Sequence, residues 1–190
     1  MPVEARVSIY SMFLCGLRVG EATSMQSDWV SPSQGGLSIA VPSETSSDGV
    51  FKPKTAAGVR VTPVPSSFTD HLTGDEIELE FADVLRSYFE LNNEVGCGVS
   101  AVRRWLFEAA DAAGLEEWRP VVERTFGREL VLEAPDVIAH DGRASWCAQC
   151  LRSDVNRYTV RDWGGWSDMT MINRYADYVG DPSGEQIARF

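Results

Sequence analysis

Five short segments of this 190-residue chain carry side chains able to do chemistry. Arg18 and Glu21 sit in Gly-Leu-Arg-Val-Gly-Glu, and Lys54 precedes a strand-like run at 59–64. His140 and Arg143 share His-Asp-Gly-Arg, Trp166 follows two glycines, and Tyr175 follows Arg174. A guanidinium is a planar fork that meets two oxygens of an anion at once and stays charged at any working pH. Tyrosine offers a nucleophilic oxygen, while lysine and histidine give or take protons. Each segment alone has a plain alternative. Arg18 could simply pair with Glu21, His140 could be a helix cap or surface residue, and Arg174 with Tyr175 could be one face of an amphipathic helix.

Order and spacing bind these segments together. Gly-Leu-Arg-x-x-Glu, a hairpin lysine and His-x-x-Arg are followed by an aromatic 23 residues after Arg143 and a tyrosine nine further on. In this layout the chain resembles the catalytic domain of the tyrosine recombinase (phage integrase) family from end to end. The run Lys54-Thr-Ala-Ala-Gly-Val-Arg60-Val-Thr-Pro-Val is similar to that family's Lys-Thr-x-x-x-x-Arg-x-x-Pro-Leu signature. The resemblance implies an enzyme that breaks and rejoins DNA without metal or other cofactor. Tyr175 would attack to give a 3′-phosphotyrosyl link, Arg18 and Arg143 would clamp the scissile phosphate, and Lys54 would protonate the leaving 5′-oxygen. His140 would accept a proton or bind phosphate beside Tyr175, and Glu21 would brace Arg18 or His140. Lys52, two residues from Lys54, could also reach the site; motif alignment favours Lys54.

Two positions depart from the family pattern. Trp166 stands where most members have His. An indole N–H can bind an oxyanion but cannot shuttle protons. Gly142 stands where Leu is usual, which is expected to loosen the start of that helix. Cys147-Ala-Gln-Cys150 resembles half a zinc site, yet no second pair lies close by, so both thiols are expected in the core. Arg103, Arg104, Arg152, Arg157 and Arg161 are either a solvated face or contacts to DNA backbone. Tyr158 and Tyr178 are rival nucleophiles by chemistry but lack the spacing from Trp166.

The elements that must position these groups read as helices flanking a small sheet. Pro2 to Cys15 is a helix stopped by Gly16, and a short helix follows from Val19 to about Met25. Trp29-Val30, Leu37–Val41 and Val59–Val64 look like strands, with Pro63 and Pro65 suited to a sheet edge. Helices are expected at Phe81–Asn92, at Ala101–Ala113 with Ser100 as N-cap and Gly114 as stop, and at about Gly142–Ser153, Arg157–Trp163 and Asp168–Tyr178. Residues 117–135 fit no pattern clearly. The expected fold is mainly α (α+β): a single helical catalytic domain over 1–190 with a small three-stranded antiparallel sheet on one side.

Composition supplies the remaining bounds. At 44% hydrophobic with six Trp, five Tyr and eight Phe, the chain can bury a core, which excludes intrinsic disorder. The most apolar stretch, Val7 to Gly20, is interrupted by Ser8, Ser11 and Arg18 and falls short of the roughly 20 residues of a membrane span. No secretory signal is evident, so a cytoplasmic location is expected. The formal charge is −11, and of the 17 basic residues only Lys52 and Lys54 are lysine. Such a surface suits concentrated salt, as in a haloarchaeon or its virus, although an acidic protein from a GC-rich genome would look the same. For a DNA enzyme this predicts a local basic strip of Arg18, Lys52, Lys54, Arg60, Arg103, Arg104 and Arg143 on an acidic body, because phosphate contacts weaken steeply with salt.

The family's N-terminal clamp domain is expected to be absent, since nothing before Arg6 could supply it. Double-stranded attachment sites and a homotetramer on DNA are implied by resemblance. Integration and excision of a viral or plasmid element lead the functional expectations. Dimer resolution and an inactive DNA-binding regulator of the same fold are the alternatives.

Overall fold

The structure is a computed structural model that describes residues 1–43, 52–53, 55–70, 73–115, 118–125, 128–135 and 137–179, with backbone alone for 118–125, 128–135 and 177–178. Helix α1 (Val3–Cys15) is apolar on most faces, and such a helix has to be wrapped by its neighbours. Ala5, Val7, Met12 and Cys15 are fully buried. Gly16 ends it in the left-handed conformation at φ 67°, and a side chain there would also collide with the Trp146 ring. Helix α2 (Val19–Thr23) starts at once.

Strands β1 (Val30–Ser33), β2 (Gly36–Val41) and β3 (Arg60–Val64) form the expected antiparallel sheet in the order β1-β2-β3. Val30 pairs with Ile39, and Leu37, Ile39 and Val41 pair with Val64, Thr62 and Arg60. Alternation turns Arg60, Thr62 and Val64 inward and leaves Val61 exposed. Pro63 lies on the edge strand, where its missing N–H disrupts no ladder. Thr62 Oγ1 donates to the Cys15 carbonyl at 3.0 Å, so the sheet caps the end of α1.

Strands β4 (Ser67–Thr69) and β5 (Glu76–Glu78) form a short hairpin leading to α3 (Phe81–Leu91). Helix α4 (Val99–Ala112) begins earlier than expected. Gly98 is its N-cap and Ser100 lies inside the first turn, so the serine cap is replaced by an extended glycine that any helix start tolerates. The ambiguous stretch is a second hairpin, β6 (Trp118–Thr125) with β7 (Arg128–Pro135), in which Thr125 pairs with Arg128.

Helices α5 (Ala139–Arg152), α6 (Arg157–Gly164) and α7 (Thr170–Val179) complete the described chain. Asp141 accepts a hydrogen bond from the Ile138 amide at 2.7 Å and so fixes the start of α5. Gly142 has a packing role there. A Cβ there would lie 2.8 Å from the Phe13 ring and 3.1 Å from Met12 Cβ, so its absence lets α5 press against α1.

Two buried clusters result. One joins α1, the sheet, α3 and α4; the other joins Trp146, Cys147, Val160 and Ile172 of α5–α7. Cys147 is fully buried and Cys150 packs beside it, as expected for core thiols. No helix among the described residues is long and apolar enough to cross a membrane.

Candidate active site

The seam between the two clusters gathers residues far apart in sequence. Arg18 comes from the α1–α2 junction, Glu21 from α2, Arg60 from the start of β3, Arg143 from α5, Trp166 from the turn after α6, and Tyr175 from α7. Main-chain carbonyls hold the arginines. Arg143 donates through Nη1 to Gly16 O at 2.6 Å and through Nη2 to Gly164 O. Arg18 Nη2 reaches Gly165 O at 3.4 Å. Gly165 closes α6 at φ 64°, and a Cβ there would stand 2.5 Å from Ala57 O.

Glu21 is the acidic centre of the site. It accepts from the Arg18 amide and Arg18 Nη1, both at 2.7 Å, and from Arg60 Nη1 and Nη2 at 3.0 and 2.7 Å. Burial raises the carboxyl's pKa. The hydrogen bond and charge of Arg60, followed by the amide and charge of Arg18, outweigh that and hold it below the ordinary value. Of the two braces expected of Glu21, that to Arg18 is the one formed.

Trp166 lies over Arg143, with the guanidinium carbon 4.2 Å from the ring. Its ring also faces Trp146 at 6.1 Å and Tyr175 at 6.3 Å between centroids. Arg143 is only 2% exposed, and its pKa is lowered to about 9 by burial first and then by the charges of Arg18 and Arg60. It therefore remains charged at neutral pH. Tyr175 is half-buried; burial and then the neighbouring Cys147 raise its pKa, and Arg174 and Arg143 pull the other way. The phenol is protonated at neutral pH, so a nucleophilic role needs a proton acceptor.

The expected basic strip takes a different form. Arg60 faces inward, 7% exposed, with every guanidinium N–H committed: to Trp163 O, Gly58 O, Gly16 O and both Glu21 oxygens. It has no donor left for DNA, because strand alternation fixes its direction. Arg143 is likewise interior. Lys52, Arg103 and Arg104 are exposed, and Arg104 pairs with Glu108 at 3.8 Å. His140 is exposed on the first turn of α5. Lys54 lies outside the described residues, as does the side chain of Tyr178. Tyr158 is 62% exposed.

Sequence reasoning missed that Arg60 is the second partner of Glu21. Its register with Thr62 and Val64 on one face of β3 was the available signal. Among the described residues no group of His, Cys, Asp and Glu is placed to hold a metal.

This architecture matches a solved structure. Over 98% of this chain and 45% of the other, it superposes on the XerH site-specific recombinase in its post-cleavage complex with a palindromic difH substrate, with a TM-score of 0.59 and 12% sequence identity. The chain shares that recombinase's fold. It spans less than half of that chain's length. No family profile and no curated protein matches the sequence.

Proposed function

We propose that the chain is the catalytic domain of a site-specific DNA recombinase that cuts and reseals DNA through Tyr175 without metal. The observation that carries this is the convergence of Arg18, Arg143, Trp166 and Tyr175, drawn from four separate elements, at one seam of a fold shared with a recombinase.

In the proposed reaction Tyr175 Oη bonds to the scissile phosphorus as the bond to the 5′-oxygen breaks. His140 takes the phenolic proton and Lys54 gives one to the departing oxygen, each worth roughly 100- to 10,000-fold. Arg18 and Arg143 neutralise the non-bridging oxygens; one such donor is typically worth on the order of 100- to 1000-fold. The 3′-phosphotyrosyl bond conserves the energy for rejoining. Arg143 lies beneath Trp166 and on the Gly16 and Gly164 carbonyls, and Trp166 would donate its indole N–H to a phosphate oxygen. Lys52, Arg103 and Arg104 supply exposed charge for the DNA backbone. Integration and excision of a viral or plasmid element in a high-salt cytoplasm, by a homotetramer on DNA, is the fuller form of the reading. Chromosome-dimer resolution would use the same residues.

The test is a suicide substrate with the cognate attachment site and a nick just past the scissile phosphate, incubated in high KCl without divalent metal. The domain is joined to a DNA-clamping module. Wild type is expected to form a covalent protein–DNA adduct and Tyr175→Phe none. An adduct that persists in Tyr175→Phe moves the nucleophile elsewhere, with Tyr178 next in line, and no adduct from wild type removes the enzymatic reading.

A further inference from the structure

Arg60 has no donor left for DNA, yet it shares the Glu21 carboxylate with Arg18, the most solvent-accessible of the arginines that meet at this carboxylate. The side chains of Arg60 and Glu21 are each 3% exposed and meet in a two-pronged ion pair, Nη1 to Oε1 and Nη2 to Oε2. Glu21 also holds Arg18, whose side chain is 31% exposed. The trio carries two positive charges and one negative.

We propose that Arg60 is a positioning residue that absorbs the charge of Glu21, so that Arg18 is oriented by the carboxylate without being neutralised by it. The proposal rests on the recombinase reading only for the identity of the phosphate as DNA. Without Arg60, Glu21 and Arg18 would form a neutral pair in a weakly screened setting, and an incoming phosphate would have to compete with the carboxylate for the guanidinium. With Arg60 present, the pair of oxygens is already balanced. The Arg18 amide and Nη1 then serve as a geometric tether at 2.7 Å each, and the net positive charge faces outward. Arg60 is suited to this because its five donors are all spent on fixed acceptors: two on Glu21, one on Trp163 O, one on Gly58 O and one on Gly16 O. It cannot swing out to bind the phosphate itself. The arrangement separates orientation from charge, tasks that one Arg–Glu pair would set against each other.

The experiment titrates inorganic phosphate into the isolated domain and follows the Arg18 Nε–Hε NMR signal, assigned by its loss in Arg18→Met. Phosphate is expected to shift this signal in wild type. In Arg60→Met the affinity is expected to fall by about tenfold or more, since a charge-assisted contact is replaced by one to a neutral pair. In the double variant Arg60→Met with Glu21→Gln, which buries no charge and so remains testable if the single variant unfolds, affinity is expected to return close to wild type. A purely structural role for Arg60 predicts instead that the double variant is as impaired as the single one.

Failure of wild type to bind, an unaltered response in a folded Arg60→Met, or no recovery in a folded double variant each overturns the proposal. A normal phosphate pattern together with no Tyr175 adduct on DNA leaves the charge-sharing role standing and removes the recombinase reading. The same variants on the suicide substrate, where cleavage is present, are expected to show a loss on the order of 100-fold for Arg60→Met and a substantial recovery in the double variant.

Discussion

Gly165→Ala probes how tightly the α6 terminus is locked onto the site. The residue sits at φ 64°, where an L side chain costs roughly 1–2 kcal/mol. Its new methyl would also stand 2.5 Å from Ala57 O and 2.8 Å from Arg60 Cδ, and such overpacking costs about 1–3 kcal/mol. The sum, roughly 2–5 kcal/mol, is a large part of the 5–15 kcal/mol that holds a typical domain together. Gly114→Ala is the matched control: it has φ 72° with nothing within 4 Å of the new carbon, so it bears the backbone term alone. At about 2–4 °C per kcal/mol for a chain of this size, the two variants should melt several degrees apart. Urea unfolding of both, with unchanged m-values, measures the difference directly. Equal destabilisation by the two substitutions would falsify the claim that the Gly165 backbone is packed against Ala57 and Arg60. Adduct formation by folded Gly165→Ala should also drop, because Arg18 Nη2 rests on that residue's carbonyl.

Other perturbations test separate parts of the site. Glu21→Ala strands the buried Arg60 charge and should cost about 3–5 kcal/mol in urea unfolding, more than an exposed pair such as Arg86–Asp83, whose loss should cost under about 1 kcal/mol. Because the folded pKa of Glu21 lies below its ordinary 4.5, its stabilising contribution is present above pH 4.5 and is lost as pH falls through the folded value. Glu21→Gln should therefore flatten the acid limb of a stability-versus-pH curve, and an unaltered limb would remove Glu21 from the charge balance. Gly142→Leu should destabilise by at least about 1–3 kcal/mol through collision with Phe13 and Met12, measured by thermal melting. At pH 8 a thiol reagent should modify Cys97 first, since burial pushes Cys147 and Cys150 up to about 12 and encloses Cys15 completely; rapid labelling of Cys147 in the native state would contradict this packing.

Much of the fold was legible because punctuation and periodicity agreed. Gly16 and Gly114 stop the helices they follow, and the alternation in 37–41 and 59–64 survives as β2 and β3. The β6–β7 hairpin was obscured because Pro120 interrupts β6 and only Phe126 and Gly127 separate the paired ends. The arginines of the site were legible as residue types but not as environments. Whether a guanidinium faces solvent or interior depends on tertiary neighbours: β3 register buries Arg60, and the Trp166 ring covers Arg143. The packing role of Gly142 was not legible because it lies in Phe13 across the α1–α5 contact, which local sequence does not encode.

Apart from the Glu21 carboxylate, the anchors of Arg18, Arg60 and Arg143 on Gly16, Gly58, Trp163, Gly164 and Gly165 are main-chain oxygens. A carbonyl accompanies every amino acid, so this frame survives substitution wherever the chain trace and the glycine conformations are kept. Side chains other than Glu21, those of an acidic surface included, can then vary without re-aiming the guanidinium groups. Constraint would concentrate instead in a few charged residues and in the glycines that let backbone and ring approach. For this architecture, backbone similarity therefore outlasts similarity of sequence.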